Sequence, residues 1–102
     1  MDTTMYAAFI ETLPGGAAVV DANSRVLMMN ARARELLGAP DVIEGLKLEL
    51  GDAGAQVRML RRFDGGIESL AVRTSRMTLE GVELVLALLT PLDDEERVRQ
   101  AL

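Results

Sequence analysis

The residues of this sequence most able to do chemistry are an acidic run, a basic cluster, a few serines and a set of methionines. Asp93-Asp94-Glu95-Glu96 has the composition of a carboxylate ligand set for a hard cation. Consecutive acids also suit a helix start, where the macrodipole favours negative charge. The run therefore reads as the beginning of a helix near Glu95, capped by Asp93 or Asp94. Arg97 stands four residues after Asp93 and can add a weak surface pair. Arg58, Arg61 and Arg62 form the densest basic cluster, a candidate phosphate site that reads more simply as one solvated helix face. Ser24, Ser69 and Ser75 offer hydroxyls, but the chain has no histidine and no cysteine. A hydrolase triad, histidine acid–base chemistry, a thiol nucleophile, a disulfide and a Cys/His zinc site are all excluded. Pro14-Gly15-Gly16 and Asp64-Gly65-Gly66 do not match a phosphate loop. Met28, Met29, Met59 and Met77 could line an adaptable pocket, although core filling is the plainer use of methionine. The expectation is a protein that is not an enzyme.

The elements that must position these residues come from one domain's worth of chain, 102 residues with 49% hydrophobic and 26% charged side chains. The net charge of -5 leaves no basic footprint for nucleic acid. Met1-Asp2-Thr3-Thr4 lacks the pattern of a secretory leader, and no apolar run approaches the ~20 residues of a membrane span. The expected location is the cytoplasm, with which the absence of cysteine is compatible.

From about Thr3 to Leu13 the apolar residues Met5 or Tyr6, Phe9, Ile10 and Leu13 recur at helical steps. Asp2 or Thr3 can cap this helix, and Pro14-Gly15-Gly16 ends it. Ala17–Val20 and Arg25–Met29 are apolar runs around a polar turn, the signature of a hairpin with a loop longer than two residues. Asp21 is expected to accept hydrogen bonds from that loop. Asn30 is a good N-cap for a helix over Ala31–Leu37, and Gly38 sits where a left-handed C-cap belongs. Residues 39–51 are ambiguous. Asp41–Gly45 suits one helical turn, while Leu46, Leu48 and Leu50 alternate with Lys47 and Glu49 in the manner of an extended segment. Asp52 to about Arg62 reads as a helix with Val57, Leu60 and Met59 turned inward. Ile67 to about Thr78 and Val82–Thr90 read as strands joined at Glu80-Gly81. The order predicts an α+β fold, a single antiparallel sheet of about five strands with short helices on one face and an N-terminal helix.

From Leu84 to Leu89 both faces of the last strand are apolar. An antiparallel sheet with one wet face alternates. Both faces are thus expected to be covered, one by the middle helices and the other by the N-terminal helix, a second copy of the chain, or both.

The stretch Leu13–Gly38 resembles the first half of a PAS domain, in which a strand ending in Asp, a short turn and a strand ending in Asn precede an Ala-rich helix closing on Leu-Leu-Gly. Asp21, Asn30, Ala33, Leu36, Leu37 and Gly38 match that pattern. Leu60 to Leu89 resembles the family's final helix and hairpin more loosely. Ser24 stands where the family often has glycine, and the last strand leaves through Thr90-Pro91-Leu92-Asp93 rather than the usual Asp-Ile-Thr.

The resemblance implies an N-terminal helix over residues 1–13, a PAS-like core over 14–92 and the start of a C-terminal signalling helix over 93–102. It implies a sensory or dimerisation module of a histidine kinase, a cyclic-dinucleotide enzyme or a transcription regulator. No cofactor is expected, since the histidine and cysteine used by haem-binding and photoactive flavin members are missing. The expected partners are a second copy and a covalently attached C-terminal output domain, with a small-molecule ligand as a further possibility, and neither nucleic acid nor direct membrane contact. Asp21, Asn30 and Gly38 are the structural motif. Met28, Ile43, Val57, Leu60 and Leu86 are candidates to line a pocket between sheet and helices. Phe9, Ile10, Val85 and Leu89 are candidates for the N-helix or dimer face, and Val98, Ala101 and Leu102 for an apolar seam along the exit helix. Two rival readings are a small-molecule receptor and a roadblock- or longin-like scaffold, whose central helix would be longer than Ala31–Leu37.

Overall fold

The computed structural model describes residues 4–43, 45–50 and 54–92. Helix α1 (Thr4–Glu11) leads into strands β1 (Gly16–Val20) and β2 (Val26–Met29), then helix α2 (Ala31–Leu37), then strands β3 (Gly54–Arg61), β4 (Ile67–Leu79) and β5 (Val82–Pro91). The strands form one antiparallel sheet in the order β2-β1-β5-β4-β3. The last strand in sequence therefore lies at the centre of the sheet.

Local chemistry accounts for the first half. Asp21 Oδ1 accepts hydrogen bonds from the N–H groups of Asn23 (2.8 Å) and Arg25 (3.0 Å), which fixes the β1–β2 loop. Ser24 adopts φ 63° in that loop, which explains the family's glycine there. Ser24→Gly is expected to raise stability by about 0.5–1 kcal/mol in urea unfolding, because it removes the strain of a left-handed side-chain-bearing residue. Gly38 closes α2 at φ 60°, and its N–H meets the carbonyls of Arg34 and Glu35. At the β4–β5 reversal Glu80 (φ 50°) and Gly81 (φ 80°) are both left-handed, as a two-residue turn matched to strand twist requires.

The segment after α2 is not helical among its described residues: it turns where the Leu46 N–H meets the Ile43 carbonyl at 3.1 Å and then runs beside the β1–β2 loop. Lys47 bridges Arg25, and Val26 and Leu48 donate their N–H groups to Leu46 and Ser24, each at 2.8 Å. Its alternation is realised, with Leu48 and Leu50 buried and Lys47 and Glu49 exposed. No described residue of 41–45 is helical.

The helix expected over 52–62 is overturned, because residues 54–61 form β3, paired with β4 from Gly54↔Thr74 to Arg61↔Ile67. Alanine, glutamine, arginine, methionine and leucine favour helix locally, but pairing along the length of β3 outweighs a preference of tenths of a kcal/mol per residue. Of the side chains expected inward there, Leu60 is buried, whereas Val57 and Met59 are exposed. The basic cluster consequently does not form one helix face.

Two apolar layers sandwich the sheet. The inner layer joins α2 and the 46–50 segment to the sheet through Ala18, Val20, Leu36, Leu37, Leu48, Leu50, Leu60, Leu70, Val72 and Leu89. The outer layer joins α1 to the other face through Ile10, Ala17, Val19, Met28 and Leu84, with Tyr6, Leu13, Met77 and Leu86 against them. The caps expected at Asp2 or Thr3 and at Asp93 or Asp94, and the exit helix with its seam, lie outside the described residues.

Candidate functional site

Asn30 joins both layers. It is almost fully buried, and its Oδ1 accepts hydrogen bonds from the N–H groups of Ala33 and Ala17, each at 2.9 Å. Its Nδ2 donates to the carbonyls of Ile10 (3.0 Å) and Gly15 (2.8 Å). One side chain thus caps α2, anchors the start of β1 and holds the end of α1. An amide is the small group that provides an acceptor and two donors in this geometry. Glu11 adds a second tie, its carboxylate accepting from the Ala31 N–H at 3.3 Å.

The other end of α2 is held by the β3–β4 turn. Arg62 donates to the Leu36 carbonyl at 3.1 Å and grips Asp64 with Nε and Nη2, at 2.9 Å for the shortest contact. Phe63 donates its N–H to the Leu37 carbonyl at 2.7 Å. The hydrogen bond from Arg62, joined by one from the Gly66 N–H, holds the Asp64 carboxyl below its ordinary value of 3.8. Both states are ionised above that ordinary value, so the contribution of Asp64 is complete there. As pH falls the unfolded chain takes up its proton first, and the contribution vanishes as pH passes through the lower folded value. Comparing acid-unfolding curves tests this, since Asp64→Asn should flatten the part of the wild-type curve below about pH 4.

β5 runs between the two layers. Its pairing with β1 (Ala17↔Leu88, Ala18↔Ala87, Val19↔Leu86) places Leu84, Leu86 and Leu88 on the outer face and Val85, Ala87 and Leu89 on the inner face. α1 covers the outer face only in part. Beyond it, the rungs Ala55–Arg73–Leu88 and Val57–Ala71–Thr90 cross β3, β4 and β5 and line an open groove of about 490 Å³. Val57 is 50% exposed, and Met59 and Ile67 farther along the same face are 72% and 62% exposed. A second hollow of about 290 Å³ lies where α1 meets β2, with Ala7, Ala8, Glu11, Leu27 and Arg34 in its wall.

The expected site residues do not assemble as one pocket. Met28 and Ile43 border the hollow beside β2, Leu60 belongs to the inner core, Leu86 packs against the outer layer, and Val57 lines the outer groove. The space between sheet and α2 is filled by Leu36, Leu37, Leu48, Leu50 and Leu60. The expected N-helix or dimer face is also split. Ile10 packs into the outer layer and Phe9 is exposed, but Val85 and Leu89 lie on the inner face. Since β5 is apolar on both sides, only its register with β1 decides which leucines face which layer. Sequence reasoning missed Arg62 as a helix cap and Arg73 in the groove. α2 has seven residues, short of the long central helix of a roadblock- or longin-like scaffold.

A five-stranded antiparallel sheet in the order 2-1-5-4-3, with a short capped helix on one face and an N-terminal helix on the other, defines an open-sheet α+β module. A family model for the PAS domain matches residues 4–78. Three solved PAS domains share the fold. That of an HTR-like protein from Haloarcula marismortui is 22% identical, with 87% of this chain and 96% of that one covered and a TM-score of 0.63. One from Desulfitobacterium hafniense is 12% identical over 82% and 98%, with a TM-score of 0.69. That of Bordetella pertussis BvgS is 14% identical over 94% and 96%, with a TM-score of 0.61. No curated protein matches the sequence. The chain belongs to the PAS domain family.

Proposed function

We propose that this PAS domain is a non-catalytic sensing and dimerisation module of a larger cytoplasmic bacterial signalling protein, a histidine kinase, a cyclic-dinucleotide enzyme or a transcription regulator. It would pass a change to an output domain through the residues that follow β5. The observation that carries this reading is the position of β5 at the centre of the sheet, with one face in the apolar layer that contains α1 and the other in the α2 core before the chain leaves the sheet. A shift in either layer must move β5 or strain its pairing with β1 and β4, and a close-packed sheet transmits such a shift to its exit.

Self-association would use α1. Tyr6, Ile10 and Leu13 face the sheet, and Ala8 and Glu11 face the hollow at β2. The 3.6-residue period then places Met5 and Phe9, 77% and 59% exposed, as an apolar ridge on the opposite flank. The test is sedimentation of the domain fused to its native downstream segment. A dimer that dissociates at least about tenfold more readily in Phe9→Glu supports the reading. A fused chain that is monomeric at every concentration, or a dimer indifferent to Phe9, refutes it.

A further inference from the structure

We propose that the outer groove between β3, β4 and β5 is a docking site for an acidic, amphipathic peptide segment of a partner protein, with Arg73 as its charge-reading residue. Ala55, Val57, Ala71 and Leu88 contribute apolar side chains to its lining, beside the polar Gln56, Arg73 and Thr90. Arg73 stands at the middle of one rung between Ala55 and Leu88, exposed, with no ion-pair partner among the described residues. Arg61, paired with Ile67, adds a second cation farther along the same face.

Strand alternation assigns to this face the odd positions of β3 and β4, 55–61 and 67–79, and the even positions of β5, 82–90. None of these is Asp or Glu, although the chain has 16 acids against 11 basic residues. An acidic chain thus carries a face whose only formal charges are cationic, set beside the apolar side chains of Val57 and Leu88. That combination complements a segment with an apolar stripe flanked by carboxylates, with the stripe on Val57 and Leu88 and a carboxylate on Arg73.

Charge argues against the other occupants. Stacking this face on its own copy would bring Arg73 and Arg61 toward their equivalents with no acid on the face to neutralise them. A net charge of -5 opposes approach to an anionic membrane, and two arginines are few for such a surface. This site is separate from the α1 ridge assigned to self-association, so the two readings fail independently.

The experiment is a titration of the isotope-labelled chain, followed by NMR, with an amphipathic peptide whose polar face is Glu and whose apolar face is Leu. Versions carrying Gln or Lys in place of Glu, and anionic phospholipid vesicles, are titrated in parallel. The Glu peptide is expected to shift the amides of Val57, Ala71, Arg73 and Leu88. Arg73→Glu should weaken it by about tenfold and reverse the preference toward the Lys peptide. Equal binding of the Glu and Gln peptides, no shifts up to about 1 mM peptide, or Arg73-dependent binding to vesicles alone overturns the proposal. So does the finding that Arg73→Glu alters the monomer–dimer equilibrium instead of peptide binding.

Discussion

Replacing Asn30 with alanine is expected to destabilise the fold by about 4 kcal/mol, a large share of the 5–15 kcal/mol that holds a domain together. The side chain meets the N–H groups of Ala17 and Ala33 and the carbonyls of Ile10 and Gly15. Loss of the cap alone costs about 1 kcal/mol. Each polar group left buried without a partner adds about 1–3 kcal/mol, partly relieved where water can enter. Urea unfolding measures the total. Hydrogen exchange should show α1 released first, because the Ile10 carbonyl loses its tie to the core.

Asn30→Asp sharpens the test. The replacement keeps the Oδ1 acceptor but turns a second oxygen toward the carbonyls of Ile10 and Gly15. The ionised form is repelled there, so the carboxyl of the folded variant is raised above its unfolded value. Its stability should be greatest below the unfolded value, where a protonated oxygen can still donate, and should fall as pH rises through the folded one. A variant equally stable on both sides of that window would remove Asn30 from its place at the junction.

The second large effect separates two adjacent leucines. Leu89→Ala should cost about 3–4 kcal/mol, because Leu89 is fully enclosed among α2, β1 and β4 in the inner core. Leu88→Ala should cost no more than about 1 kcal/mol, because Leu88 is 37% exposed at the edge of the outer groove. Thermal or urea unfolding of the two variants reads the register of β5 directly. Equal costs, or a larger one at Leu88, would mean that the strand presents the opposite faces.

That contrast marks what was legible in the sequence. The hairpin, the capped helix from Asn30 to Gly38 and the β4–β5 reversal are set by local chemistry, and each appears with its caps and turns in place. β3 was not legible, because Ala55–Arg61 carries helix-favouring side chains without clean alternation, and its strand state comes from β4, distant in sequence. The faces of β5 were not legible either, since a strand that is apolar on both sides has no pattern from which parity can be read. Hence Leu89 and Val85 were expected in the outer layer, where Leu84 and Leu86 lie instead. Arg73 left a faint signal: acids avoid the odd positions from Ile67 to Leu79, though that gains meaning only once those positions share a face with the groove. Arg62 gave none, because a cap on α2 from the far side of the fold depends on tertiary placement.

The central claim is that β5 is held between two different layers, α1 outside and the α2 core inside. Contacts between methyl groups, measured by NMR in a chain labelled at isoleucine, leucine and valine, test it most directly. The account predicts that Ile10 contacts Val19 and Leu84, that Leu89 contacts Leu36, and that neither set crosses to the other. Contacts from Ile10 to Leu89 or Leu36, or an Ile10 with no contact to the sheet, would contradict it.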